Sequence, residues 1–138
     1  MKAILLLVAL AACGGIPKDE DTLGESIREF NEGVRWSRFA NAAIHVPAKD
    51  RATFVDEWDE RTKDLKITDY EVVKVDQKGS RTAQVQVKME WYKDSEGKVK
   101  ETHAVQTWER HGKVWFLVDE SRLRGDEMPG LPEPVLKD

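Results

Sequence analysis

Between Ala83 and Trp91 hydrophobic and polar residues alternate without a break. Ala83, Val85, Val87, Met89 and Trp91 fall on one side, and Gln84, Gln86, Lys88 and Glu90 on the other. A period of two predicts a strand with one face on a core and the other in water. Turn signals stand at Gln77–Ser80, Asp94–Gly97 and His111–Gly112, so the run reads as the second strand of a four-stranded antiparallel meander from Tyr70 to Asp119. The first strand, about Tyr70 to Asp76, spreads Val72, Val73 and Val75 over both faces. The third and fourth are predicted at Lys100–Arg110 and Lys113–Asp119.

Turn lengths then set the register. A two-residue loop at His111–Gly112 places Trp108 opposite Trp115, Gln106 opposite Leu117, Thr107 opposite Phe116 and Val105 opposite Val118. A four-residue loop at Asp94–Gly97 places Ala83 opposite Trp108 and Val87 opposite Ala104, joining the tryptophans to the buried side of the second strand. Thr107, Phe116 and Val118 are left outside, and a loop one residue longer would exchange the two faces. The sheet is thus expected to be apolar on both faces here, where an antiparallel sheet usually keeps one face polar. Phe116, Val118 and Val105, together with Trp108 and Trp115, are therefore the candidate surface for a partner or ligand.

Ahead of the sheet the period lengthens to that of a helix. Ile27, Phe30, Val34, Phe39, Ala40 and Ala43 predict one helix from Ser26 to about Ala43, ended by Val46–Pro47. A second helix follows Pro47, with Phe54, Val55, Trp58 and Leu65 near one face. Asp56, Glu57, Asp59 and Glu60 lack the spacing and the turn glycine of a calcium loop, so they read as a solvated helix face.

Composition narrows the functional classes. A length of 138 residues suits one domain, and five tryptophans within a 40% hydrophobic chain suffice for a core. The net charge of −4 and the lack of a basic stripe argue against nucleic acid as a partner. A single cysteine, Cys13, excludes an intramolecular disulfide and a cysteine metal cluster, and the three histidines have no ligand spacing. No metal and no cofactor is expected. Among strand residues with acid–base capacity, His103, Glu90, Glu101 and Asp119 stand without a recognisable catalytic motif.

The N-terminus points to a compartment. Met1–Lys2, the apolar run Ala3–Leu10 and the small residues after it have the form of a secretory signal, too short to span a bilayer. Leu10–Ala11–Ala12–Cys13 resembles the lipobox of bacterial lipoproteins. The resemblance implies cleavage before Cys13, lipidation of its thiol and membrane residence through two or more acyl chains. With Gly14 next, it implies a place in the bacterial cell envelope, at the outer membrane facing the periplasm. The expected organisation is a signal peptide (1–12), a lipidated tether (13–24), an α+β domain (25–121) and a flexible proline-rich tail (122–138), which could instead fold over the sheet through Leu123, Met128 and Leu131.

Two helices followed by a curled antiparallel sheet resemble the cone-shaped superfamily named after nuclear transport factor two, with its polyketide-cyclase-like and ketosteroid-isomerase-like members. The resemblance rests on Arg51–Phe54, Ile67–Val72 and above all Gln106–Val118. It departs in lacking an obvious third helix, which leaves a cystatin-like fold as the alternative. The fold class expected is α+β. The function expected is a lipid-anchored, non-catalytic binding module that meets a protein partner or a second copy through the sheet. The alternatives are a carrier or sensor of a small apolar ligand in the cone and an enzyme of the cyclase or isomerase type.

Overall fold

The computed structural model describes residues 22–134. The order is α1 (Thr22–Arg35), α2 (Phe39–Ala43), a 3-10 turn at Ala48–Asp50, α3 (Arg51–Arg61), then β1 (Leu65–Lys78), β2 (Thr82–Lys93), β3 (Lys100–His111) and β4 (Val114–Gly125). The fold is α+β, helices followed by a curled four-stranded antiparallel sheet of order β1-β2-β3-β4. Cys13 and the signal peptide expected over residues 1–12 lie outside the described residues. Thr22–Gly24, expected in the tether, already belong to α1.

The helix expected over 26–43 is broken. Leu23, Ile27, Phe30 and Val34 are buried along α1, but Ser37 takes a left-handed conformation at φ 57°. Ser37 N–H donates to the Val34 carbonyl at 3.2 Å and Arg38 N–H to that of Gly33 at 2.7 Å. That pair of bonds is a Schellman ending, here with serine in the place usually taken by glycine. The break turns α2 back onto α1, where Gly33 meets Ala42 so closely that a methyl group would sit 3.0 Å from the Ala42 backbone. Hydrophobic periodicity alone runs through this break, because Phe39 and Ala43 are buried on both readings; Ala40, expected on the same side, is exposed, and Ala42 is buried instead.

The sheet follows the expected alternation in its centre. Ala83, Val85, Val87, Met89 and Trp91 are buried, and Ala83 pairs with Trp108 and Val87 with Ala104, as the Asp94–Gly97 turn implied. The last hairpin is offset. Its loop is Gly112–Lys113, so Trp108 pairs with Leu117 and Trp115 with Arg110. The shift is two residues and leaves the faces unchanged: Trp108, Trp115 and Leu117 are all buried under the helices. Trp108 and Trp115 therefore share a face but lie diagonally rather than opposite.

Two bulges then reset β4. Leu117 pairs with Trp108 but Asp119 with Thr107, leaving Val118 as the extra residue, and Leu123 is extra in the same way. The pairings expected for Gln106, Thr107 and Val105 fall instead on Glu120, Asp119 and Ser121.

The inner face packs on aromatic rings. Phe30 meets Trp108 edge-on at 5.9 Å, Phe39 stacks on Trp58 at 5.3 Å, and the Trp91 indole N–H donates to Thr102 Oγ1 at 2.9 Å. Beyond Tyr70 this cover ends. Glu71–Lys78 of β1 are exposed throughout, Val72, Val73 and Val75 among them, with Val73 bulged from the ladder.

The C-terminal segment departs from the flexible tail expected after Ser121. β4 runs on to Gly125, and Met128 is buried in the main core with Leu131 packed against it. Arg122 N–H donates to the Pro132 carbonyl at 2.8 Å, and the Arg122 guanidinium grips Glu133 through Nε and Nη2 at 2.7 and 2.8 Å. Residues 126–134 form a strap that crosses to the helix side of the sheet, not to its outer face.

Candidate functional site: a cleft at the mouth of the cone

Between α3, β4 and the strap lies a cleft of about 310 Å³. Phe54, Trp58, Val46 and Leu117 form its apolar walls, and Arg61, Glu120 and Gly130 its inner end. A smaller void of about 20 Å³ continues inward past Arg61 and Glu120 toward Phe30, Asn31 and Met89, closed by Met128 and Leu131.

The inner end is polar for a reason set by the bulge at Val118. Plain alternation after Trp115 and Leu117 would turn Asp119 inward. With one residue added, Asp119 is exposed and Glu120 takes the inward position. Gln106 Nε2 donates to Glu120 Oε2 at 2.7 Å and to Asn31 Oδ1 at 2.9 Å, while Gln106 Oε1 accepts from the Trp108 indole at 3.2 Å. Asn31 Nδ2 donates to the Ile27 carbonyl at 2.8 Å. Asn31 and Gln106 are buried polar groups in an otherwise aromatic core, and this network satisfies them. Glu120 as a residue is half-buried, yet its carboxyl group is enclosed by protein. Burial raises its pKa against the opposing pull of Gln106 and Arg61. It is the group placed to hold or exchange a proton at the cleft.

Arg61 faces Glu120 from the end of α3. Its guanidinium lies over the Trp58 ring at 4.4 Å, with Gly130 against its other side. Gly130 is at φ +80°, and a side chain there would collide with the guanidinium. Burial lowers the Arg61 pKa, while Glu57 and Glu120 raise it from a distance. Among the described residues no acceptor hydrogen-bonds the guanidinium, and no carboxylate lies within ion-pair reach of it.

The sequence-derived candidates divide between the two faces. Trp108 and Trp115 are core and offer no surface. Phe116 and Val105 are half-buried and Val118 exposed; Val118 also lines the cleft. His103 faces outward with Val105, its Nε2 3.1 Å from Glu101 Oε1, so this histidine is remote in orientation from the cleft. Glu90 is half-buried on the same outer face. Arg61 and Glu120 were not singled out from the sequence; a bulge was needed to bring Glu120 inward, and no local pattern marks it. Asp56, Glu57, Asp59 and Glu60 are exposed, and no group of acidic or histidine side chains among the described residues is arranged to hold a metal.

No family model and no curated protein matches the chain. Among solved structures it is similar to a ketosteroid isomerase-like protein from Erwinia carotovora atroseptica, with a TM-score of 0.61 at 9% identity, over 79% of this chain and 99% of that one. It is likewise similar to a SEC-C motif-containing protein from Rhodopseudomonas palustris, with a TM-score of 0.61 at 11% identity, over 77% and 89% of the two chains. At such identities the fold alone is shared. The chain has the cone fold of the nuclear-transport-factor-like and ketosteroid-isomerase-like proteins. The short α2 is the third helical element that the sequence pattern did not reveal.

Proposed function

We propose that the protein is a domain of the bacterial cell envelope, tethered through lipidated Cys13, that binds a small and largely apolar molecule in the cleft between α3, β4 and the strap. The observation that carries the binding reading is the cleft itself. Its volume lies at the small end of ligand sites, and the apolar side chains of Val46, Phe54, Trp58 and Leu117 stand beside the charged groups Asp50, Glu57, Arg61, Asp119 and Glu120, a lining that offers both an apolar surface and polar anchors. Binding rather than turnover is favoured because Glu120 is the one titratable carboxyl in the Asn31–Gln106–Glu120 network, and its amide partners cannot relay a proton.

Screening the full chain by NMR against water-soluble aromatic and aliphatic fragments tests this. Shifts should cluster on Phe54, Trp58, Leu117 and Glu120. Shifts confined to Val105 and Phe116, or none at all, would overturn the cleft reading. The tether is tested separately: Cys13→Ser should leave an unprocessed or soluble form, and normal processing with undiminished membrane attachment would refute the anchor.

A second reading has its own support in the outer face, where Phe116 stands half-buried opposite Glu109, Val105 half-buried opposite Ser121, and Val118 is exposed at the bulge between them. These apolar side chains on an open face are the ground for a protein partner or a second copy. Phe116→Glu should then abolish association while leaving the fold intact.

A further inference from the structure

We propose that the molecule held in the cleft carries a single carboxylate, received by the Arg61 guanidinium and the free backbone N–H of Glu120. The inference rests on the binding reading above and names its ligand class. Arg61 is the first observation. A half-buried guanidinium carries five N–H donors in a fixed fork, and such groups in protein interiors are normally paired. Here the group is held between Trp58 and Gly130, lines the cleft, and has no hydrogen-bond acceptor among the described residues. Its position is set by packing and its donors remain available, which suits planar two-point recognition of a carboxylate.

The edge of β4 is a second and independent observation. Leu117 N–H leaves the sheet to reach the His45 carbonyl at 2.7 Å, and Arg122 N–H leaves it to reach Pro132. In an antiparallel ladder the residue two before Arg122 points its N–H the same way, which assigns Glu120 N–H to the outer edge of β4, between these two capped positions. Glu120 lines the same cleft as Arg61, which offers a second donor to the guest.

The rim limits the charge of the guest. Asp50, Glu57 and Asp119 are exposed and line the cleft together with Glu120, so four carboxyl-bearing residues share it with a single guanidinium. A monoanion with an apolar body along Phe54, Trp58 and Leu117 gains the paired contact at the inner end. A phosphate monoester or other dianion meets the rim with twice the charge and is disfavoured.

Three probes with one body and different heads decide the matter: 4-phenylbutyrate, 4-phenylbutanol and 4-phenylbutylamine, titrated into the full chain and followed by tryptophan fluorescence and NMR. A charge-assisted pair predicts that the carboxylate binds about tenfold or more tighter than the alcohol, with the amine weakest. Arg61→Gln should erase the preference between carboxylate and alcohol. Equal binding of all three heads, or a preference for the amine, would overturn the head-group inference while leaving the cleft as a binding site. If none of the three binds at millimolar concentration, the binding reading fails with it. The comparison of heads on the unaltered protein stands even if Arg61→Gln unfolds. Phenyl phosphate, expected to bind more weakly than phenylacetate, tests the rim; the reverse order would refute selection for a single charge.

Discussion

The two faces of the sheet carry opposite exceptions. The inner face, pressed on three helices, holds the amide of Gln106 and the carboxyl of Glu120, tied to the Asn31 amide of α1. The outer face, open to solvent, holds Val105, Phe116 and Val118. On the inside, each polar group is tied to another and the set ends at a cleft. On the outside, apolar side chains stand among Gln84, Gln86 and Lys88, each of which reaches water. The difference shows that polarity on a buried face demands a complete network, whereas apolar groups on an exposed face demand nothing for stability. The inner exceptions are consequently the better guide to a site.

Substitutions can break that contrast. The largest effect is expected at Trp108, fully buried between Phe30 and the Gln106 amide: Trp108→Ala should cost about 3–5 kcal/mol in urea melts. Gln106→Leu keeps the volume but strands Asn31 and Glu120, and should cost about 1–3 kcal/mol. If it is neutral, the network is not what holds the inner face. Val87→Ala should fall in a similar range of about 1–3 kcal/mol, from lost burial and a small cavity, whereas its outer neighbour Lys88→Ala should cost under about 0.5 kcal/mol. Equal values for Val87 and Lys88 would mean that the two faces are not distinct in energy.

The pH dependence sharpens the same contrast. Burial raises the Glu120 pKa above its unfolded value, so the protonated form is the one the fold favours. The linked stability is fully present below the ordinary carboxylate range and is lost as pH rises through the raised value. Glu120→Gln should therefore stabilise the protein at pH 8 and not at pH 4, read as the difference in melting temperature between variant and parent at each pH. His45 acts in the other direction. Burial lowers its pKa despite Glu29 nearby, so stability is present above the ordinary histidine value and is lost as pH falls below it. A His45→Gln variant should lose that acid-side slope, and this is the smallest of the expected effects.

What the sequence made legible follows from where local rules govern. The strict alternation from Ala83 to Trp91 sits on a strand with neighbours on both edges, so period, faces and the pairing with β3 could all be read. The pattern failed where one residue redirects the chain. Ser37 ends α1 in a conformation that any scale assigns to glycine first, and the apolar spacing passes straight over it. Val118 adds one residue to β4 and exchanges Asp119 for Glu120 at the inner position, so the site could not be found by counting in twos. The strap was misread for a different reason. Its prolines and charges have the composition of a disordered tail, but Met128 and the Arg122–Glu133 pair anchor it by contacts far away in sequence.

The uncovered half of β1 has a consequence for life at high local concentration. From Glu71 to Lys78 an outermost strand offers unpaired backbone groups and three exposed valines, the ingredients from which strands of separate molecules zip together. Glu71, Lys74, Asp76 and Lys78 are spaced through that stretch, and the extra residue at Val73 kinks the ladder where a flat template would otherwise form. Charge and kink together act as a guard against fibre-like growth. Replacing Lys74 and Asp76 with threonine would leave the monomer folded while making it prone to aggregate, since what those residues oppose lies between molecules rather than within one.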